Sequence, residues 1–208
     1  MHREGFLLIN DYQTLKIEKL YQMFTDEYKD NFAKYHEAIK ELEEIIDNIK
    51  DKNVSKIFNL LYLNVVSAFD CLVCDIILTY VCSSEDKFIK YVNCIADNKL
   101  KECLSCIDTT NPAECFSYGR FQQKTFDSIM HSSYCRAQEL ERITKQLFGK
   151  EMKFQNTDII ELFYHRHLLA HRNGYKKDGS NLHKTESDVK KAIITMNSFV
   201  EELETIIS

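Results

Sequence analysis

Residues that interrupt helices are scarce in this chain. Of its 208 residues one is proline, Pro112, and five are glycine, far below average usage. That scarcity predicts long helices and argues against a sheet-rich fold. No N-terminal secretion signal stands out, because the apolar run Phe6–Ile9 is only four residues long and a secretory core needs more. The longest apolar run, Leu60–Cys82, is interrupted by Asn64, Asp70 and Asp75, which argues against a bilayer span. These absences predict a soluble, cytoplasmic protein with no membrane partner. The length suits a single domain over 1–208, with an inserted or elaborated segment at about 83–135.

What is present is largely helical pattern. Ile17, Leu20, Tyr21, Phe24 and Tyr28 keep helical spacing over 11–28. Phe32, Tyr35, Ile39, Leu42, Ile46 and Ile49 step by 3, 4, 3, 4 and 3, which defines an amphipathic helix with Asp30 as its expected N-cap. A second long helix over 54–82 is apolar on most sides, so it is expected to be buried on several. Its narrow polar stripe, Asn64, Ser67, Cys71 and Asp75, either sees water or marks a side where Asp75 or Asp70 meets a cation. Helices are expected over 85–106 and 122–148, separated by the turn signal at 108–112 and closed by Gly149. Asn156-Thr157-Asp158 caps a helix that stops near Asn173-Gly174. The last helix starts at a capping-box pattern, Thr185-x-x-Asp188, and puts Val189, Ala192, Ile193, Met196, Phe199, Val200, Leu203, Ile206 and Ile207 on one face. The expected architecture is all-α, an antiparallel bundle of four to five long helices with a helical insertion.

Cysteine and charge each need weighing. Cys71-x-x-Cys74 and Cys103-x-x-Cys106 imitate zinc-knuckle spacing. The first pair lies inside a helical run with no turn glycine to wrap a metal, so the cysteines are read as reduced, buried small residues without a metal. The net charge of −5 hides a basic block: residues 142–191 carry 11 Lys/Arg against 6 Asp/Glu. Arg172, Lys176, Lys177 and Lys184 lie there, an anion-attracting patch or a solvated surface.

The sharpest signal sits in that block. Glu161–Gly174 reads ELFYHRHLLAHRNG and holds three of the seven histidines. On a helix, Arg166 falls among Ile159, Leu162, Phe163, Leu169 and Ala170, in the middle of the apolar face. A permanent charge there needs a partner or a cleft. Histidine can exchange protons near neutral pH, while arginine clamps phosphate oxygens without titrating. Cleavage of RNA by its own 2′-hydroxyl needs a base, an acid and positive charge on the transition state. Arg166 and His171 lie about 140° apart around an ideal helix, so one helix does not easily close both on one phosphate, whereas two copies could.

Arg166-His167-x-x-x-His171, embedded in RHLLAHRNG and followed by a basic turn and an amphipathic last helix, resembles the R-polar-x3-H signature of the HEPN superfamily. The motif resemblance covers about 162–174; the helix pattern extends it loosely over 30–82 and 155–207. The resemblance implies a metal-independent endoribonuclease without cofactor, with a composite site at a homodimer interface, in anti-phage defence or a toxin–antitoxin system. It implies RNA as substrate and an antitoxin or other defence protein as a further partner. Catalytic roles fall on Arg166, His167 and His171, with His167 the supporting polar residue. Arg172, Lys176 and Lys177 are expected to hold flanking phosphates, and Asn173 to orient His171 or cap the helix. His165 points to another face and is expected on the surface. Two other readings stand beside this one. One is a metal site from His167 and His171 with His183 or a cysteine; the other is a catalytically silent HEPN-like module for RNA or protein binding, or for dimerisation.

Overall fold

The computed structural model describes residues 27–50, 55–96, 115–152 and 157–207. Among them the chain is all-α, without strands. Helix α1 is Tyr28–Asn48, α2 Ser55–Ser83, α3 Glu85–Cys94, α4 Cys115–His131, α5 Ala137–Ile143, α6 Thr157–Arg172 and α7 Glu186–Ile207, and one wide π turn, Thr144–Phe148, follows α5. The helix expected over 11–28, the turn at 108–112 and the second cysteine pair, Cys103 and Cys106, lie outside the described residues apart from Glu27 and Tyr28.

Two compact units divide the chain. The larger is Tyr28–Val73 with Ser133–Ser208; the smaller includes Cys74–Ser132. Helix α2 contributes residues to both.

In the larger unit the sequence pattern becomes a core directly. Helix α1 buries Phe32, Tyr35, Ile39, Leu42 and Ile46, the 3-4 stripe of an amphipathic helix. Asp30 sits in its first turn rather than at the cap, where a carboxylate complements the helix dipole. The stripe packs against α7, and the Tyr35 hydroxyl donates to Asn197 Oδ1 at 3.0 Å. Helix α7 buries Val189, Ala192, Ile193, Met196, Phe199, Val200 and Leu203. Phe69 of α2 stacks on Phe163 of α6 with centroids 5.8 Å apart and meets Phe199 of α7 edge-on at 5.3 Å. One aromatic cluster therefore ties three helices together.

Helix α2 is long and apolar enough to cross a bilayer by length and composition. Phe58, Leu61, Val65, Val66 and Phe69 in its first half are instead buried within the larger unit, as the wide apolar arc requires. Asn64 and Cys71 of the polar stripe are exposed and Ser67 and Asp75 half-buried. In the smaller unit Phe88 of α3 meets Phe121 and Phe126 of α4 edge-on. Ser84 caps α3 by accepting from the Lys87 amide at 3.3 Å.

One expected helix is interrupted. Residues 122–148 do not form a single helix: α4 ends at His131, Ser132–Arg136 is non-helical, and α5 begins at Ala137. Serine side chains compete with helical hydrogen bonding here. The Ser132 hydroxyl donates back to Ser128 O at 2.7 Å. Beyond it the Ser133 hydroxyl and the Tyr134 amide both donate to the Asp70 carboxylate, so an amide that a helix would have used goes to a side chain. The expected stop at Gly149 is observed, with φ of 72°.

Candidate functional site

Helix α6 carries two chemically different faces. Ile159, Leu162, Phe163, His165 and Leu168 are buried. Ile160, Tyr164, His167 and His171, spaced 4, 3 and 4, form an exposed outer stripe. The helix ends on two left-handed residues, Asn173 at φ 50° and Gly174 at φ 83°. Asn173 thus takes the capping conformation, for which asparagine is suited. Gly174 is required: a Cβ there would lie 2.8 Å from Asn181 Oδ1 and 3.3 Å from Leu182 O.

The basic turn that follows is ordered by its own backbone. Tyr175 and Asn181 form an isolated bridge, Lys176 N donates to Ser180 O and Leu182 N to Gly174 O, both at 2.8 Å. Asp178 Oδ1 accepts from the Ser180 amide and hydroxyl, which holds its carboxyl below the ordinary range. Asn59 of α2 clamps the far end, its amide donating to Leu182 O and accepting from Lys184 N. The Thr185–Asp188 capping box then starts α7: Thr185 N donates to Asp188 Oδ2 at 2.8 Å and Asp188 N to Thr185 Oγ1 at 3.3 Å.

Arg166 has a partner, and it is Asp70. Its Nη2 lies 3.4 Å from Asp70 Oδ2, with the side chains 21% and 15% exposed. Asp70 is held on three sides, by Arg166, the Ser133 hydroxyl at 3.1 Å and the Tyr134 amide. The arginine is less well satisfied. Its buried Nε has no hydrogen-bond partner among the described residues, and the contact to Asp70 is long for a charge-assisted bond. Cys135 lies beside this pair. Burial, then the Asp70 charge, pushes its thiol up to about 12 against an opposing effect of Arg166, so it is not a thiolate nucleophile at neutral pH.

His167 and His171 are exposed with ring centroids 5.0 Å apart. Arg172, Asn173 and Lys177 are exposed and Lys176 is half-buried. Among the described residues no group of three metal-binding side chains forms, and the proposed third ligand His183 instead contacts Ser55 Oγ at 3.4 Å.

Two expectations are corrected. His165 is not a surface histidine: it is 8% exposed. Lys184 does not belong to a solvated basic patch; it is 7% exposed. The two meet, with Lys184 Nζ 3.0 Å from His165 Nδ1 and 4.2 Å above the Tyr62 ring. Tyr62 Oη lies 3.4 Å from the same ring nitrogen, and Glu161 Oε1 3.6 Å from His165 Nε2. Burial, then the Lys184 charge, holds His165 below its ordinary value, and burial does the same to Lys184. Tyr62 is raised by burial and by Glu161 and Asp188, so it remains a hydroxyl donor. Helical periodicity could have indicated His165, which shares a side with Leu162 and Leu168, but no local pattern marks Lys184.

No protein-family model, curated protein or solved structure matches the chain.

Proposed function

We propose that the protein is a metal-independent endoribonuclease that acts as a homodimer, with Arg166, His167 and His171 at a composite site. The observation that carries this reading is the exposed His167–His171 pair on the same helix as Arg166, whose buried Nε has no hydrogen-bond partner among the described residues. Two imidazoles without a hydrogen-bond partner among the described residues remain available for proton transfer to and from RNA oxygens. Arg166 supplies positive charge for the phosphorane-like transition state. Ile160 and Tyr164, 49% and 47% exposed, continue the stripe with apolar surface suited to a second copy. Arg172, Asn173, Lys176 and Lys177 lie on the adjoining helix end and turn, suited to flanking phosphates. A role in a defence or toxin–antitoxin system, with a neutralising protein as partner, follows from the HEPN resemblance, and a cytoplasmic location from the sequence pattern.

A specific observation favours a second reading. The Arg166–Asp70 contact supplies the buried charge with a partner inside one chain, as a catalytically silent binding or dimerisation module would need. Incubation with varied RNAs in EDTA separates the two. Cleavage that yields 5′-hydroxyl ends and is lost in Arg166→Ala and His171→Ala supports the nuclease. Folded dimers that bind but never cut support the module.

A further inference from the structure

His165, Lys184 and Tyr62 form a buried polar cluster, with the exposed Glu161 at its edge, outside the Arg166–His171 site and unused by it. It is open to a cleft also lined by Asp158, Leu162, Asp188, Lys191, Ala192 and Thr195. Each carboxylate around this cleft has a partner of its own. Asp188 is taken by Thr185, Glu161 approaches His165, and Asp158 approaches Lys191 at 3.8 Å. Lys184, the most buried cation there, has no carboxylate within ion-pair distance among the described residues; its ammonium contacts are an imidazole nitrogen and a ring face. Burial disfavours the charged form of Lys184, against the opposing charges of Asp188 and Glu161, and so favours the nucleophilic free amine.

We propose that Lys184 is a reactive amine that forms a Schiff base with a small aldehyde or ketone entering this cleft. His165 is its proton acceptor and Glu161 the group that orients His165. The Lys184 ammonium gives one proton to His165 Nδ1, and the freed Nζ bonds to the carbonyl carbon as the C=O π pair moves to oxygen. The imidazolium returns its proton to that oxygen, and the carbinolamine hydroxyl leaves with a second nitrogen proton as water. A protonated C=N remains, so one ammonium and one carbonyl give one iminium and one water. The downward displacement of Lys184 supports the scheme, since its ammonium gives up a proton more readily, and that of His165 keeps the imidazole neutral and free to accept one. Glu161, Asp188, Lys176 and Lys191 are the charged groups that bear on the pair. The reading is independent of ribonuclease activity.

The test is reductive labelling of the folded full chain with propanal and sodium cyanoborohydride, followed by peptide mass spectrometry. Lys184 should be alkylated severalfold faster than the exposed Lys150 and Lys177 at pH 7, and its advantage should grow as pH falls. His165→Asn should slow labelling at Lys184 while leaving Lys177 unchanged. Should that variant fail to fold, the wild-type pH profile decides alone. Protection of Lys184, or a rate and pH profile equal to those of Lys177, overturns the proposal.

Discussion

Arg166 of α6 and Asp70 of α2 face each other at 3.4 Å, and the carboxylate is the better satisfied of the two. Three donors converge on Asp70, whereas the buried Nε of Arg166 has no acceptor among the described residues. The pair is therefore unequal, and its members should fail differently. Removal of Asp70 strands the Tyr134 amide, the Ser133 hydroxyl and the arginine together, at a cost of about 3 kcal/mol or more. Removal of Arg166 breaks one long contact and leaves Asp70 two neutral donors, at a cost of about 1 kcal/mol. Urea unfolding should give Asp70→Ala a lower midpoint than Arg166→Ala; the reverse order would mean that the arginine is the structural partner.

On the proposed nuclease function, His171→Ala should lower the cleavage rate by about 100-fold or more, the range in which a general acid or base contributes. Lys177→Ala should instead weaken RNA binding and reduce its salt dependence with little change in the bound-state rate. Single-turnover cleavage and filter binding at two salt concentrations separate these effects. A rate loss in Lys177→Ala equal to that in His171→Ala would contradict the assigned roles.

Two left-handed glycines, Gly149 and Gly174, should differ in their tolerance of a side chain. Gly149 at φ 72° has open space around its Cβ position, so Gly149→Ala bears only the left-handed backbone cost of about 1–2 kcal/mol. Gly174→Ala adds a collision with Asn181 and the Leu182 carbonyl, so its melting temperature should drop further. Equal losses in the two variants would show that the turn over 174–182 yields to a side chain.

Stability should fall on mild acidification because of His165. Its folded-state value is depressed by burial and by Lys184, with Lys176 also opposing protonation and Glu161 and Asp188 favouring it. In the unfolded chain it returns to an ordinary value near about 6.5. Below that pH the unfolded state takes up a proton that the folded state resists, so stability declines as pH drops. Burial alone would raise Asp188, but its Thr185 hydrogen bonds and the Lys184 and His165 charges leave it depressed. Its contribution is present above about 3.9 and is lost as pH falls further, through its folded value. Urea midpoints at pH 7.5 and 5.5 should differ in the wild type and differ less in His165→Asn. An unchanged difference would remove His165 as the cause.

The motif on α6 was legible as residue types at a spacing, and its exposure pattern follows from helical geometry. His167 and His171 fall 40° apart on an ideal helix and do lie side by side. Which acid meets Arg166 was not legible. Asp70 and Asp75 were equivalent candidates in sequence, and the choice rests on how α2 and α6 pack and on where the chain breaks at Ser132–Arg136. His165 and Lys184 were misread for a related reason. Lys184 follows an irregular turn clamped by Asn59, more than a hundred residues away in sequence, so nothing nearby signals its burial.

The sequence by itself determined the all-α class, the buried stripe of α1, the boundaries of α6 and α7, the capping box at Thr185 and the stops at Gly149 and Gly174. These depend on interactions within a few residues, where apolar spacing, caps and left-handed glycines act directly. Tertiary structure alone decided that Asp70 holds Arg166, that the helix expected over 122–148 is broken, and that His165 and Lys184 share a buried cleft with Tyr62. Each of those depends on groups brought together from distant parts of the chain, and helical periodicity specifies which face is buried without specifying what lies against it.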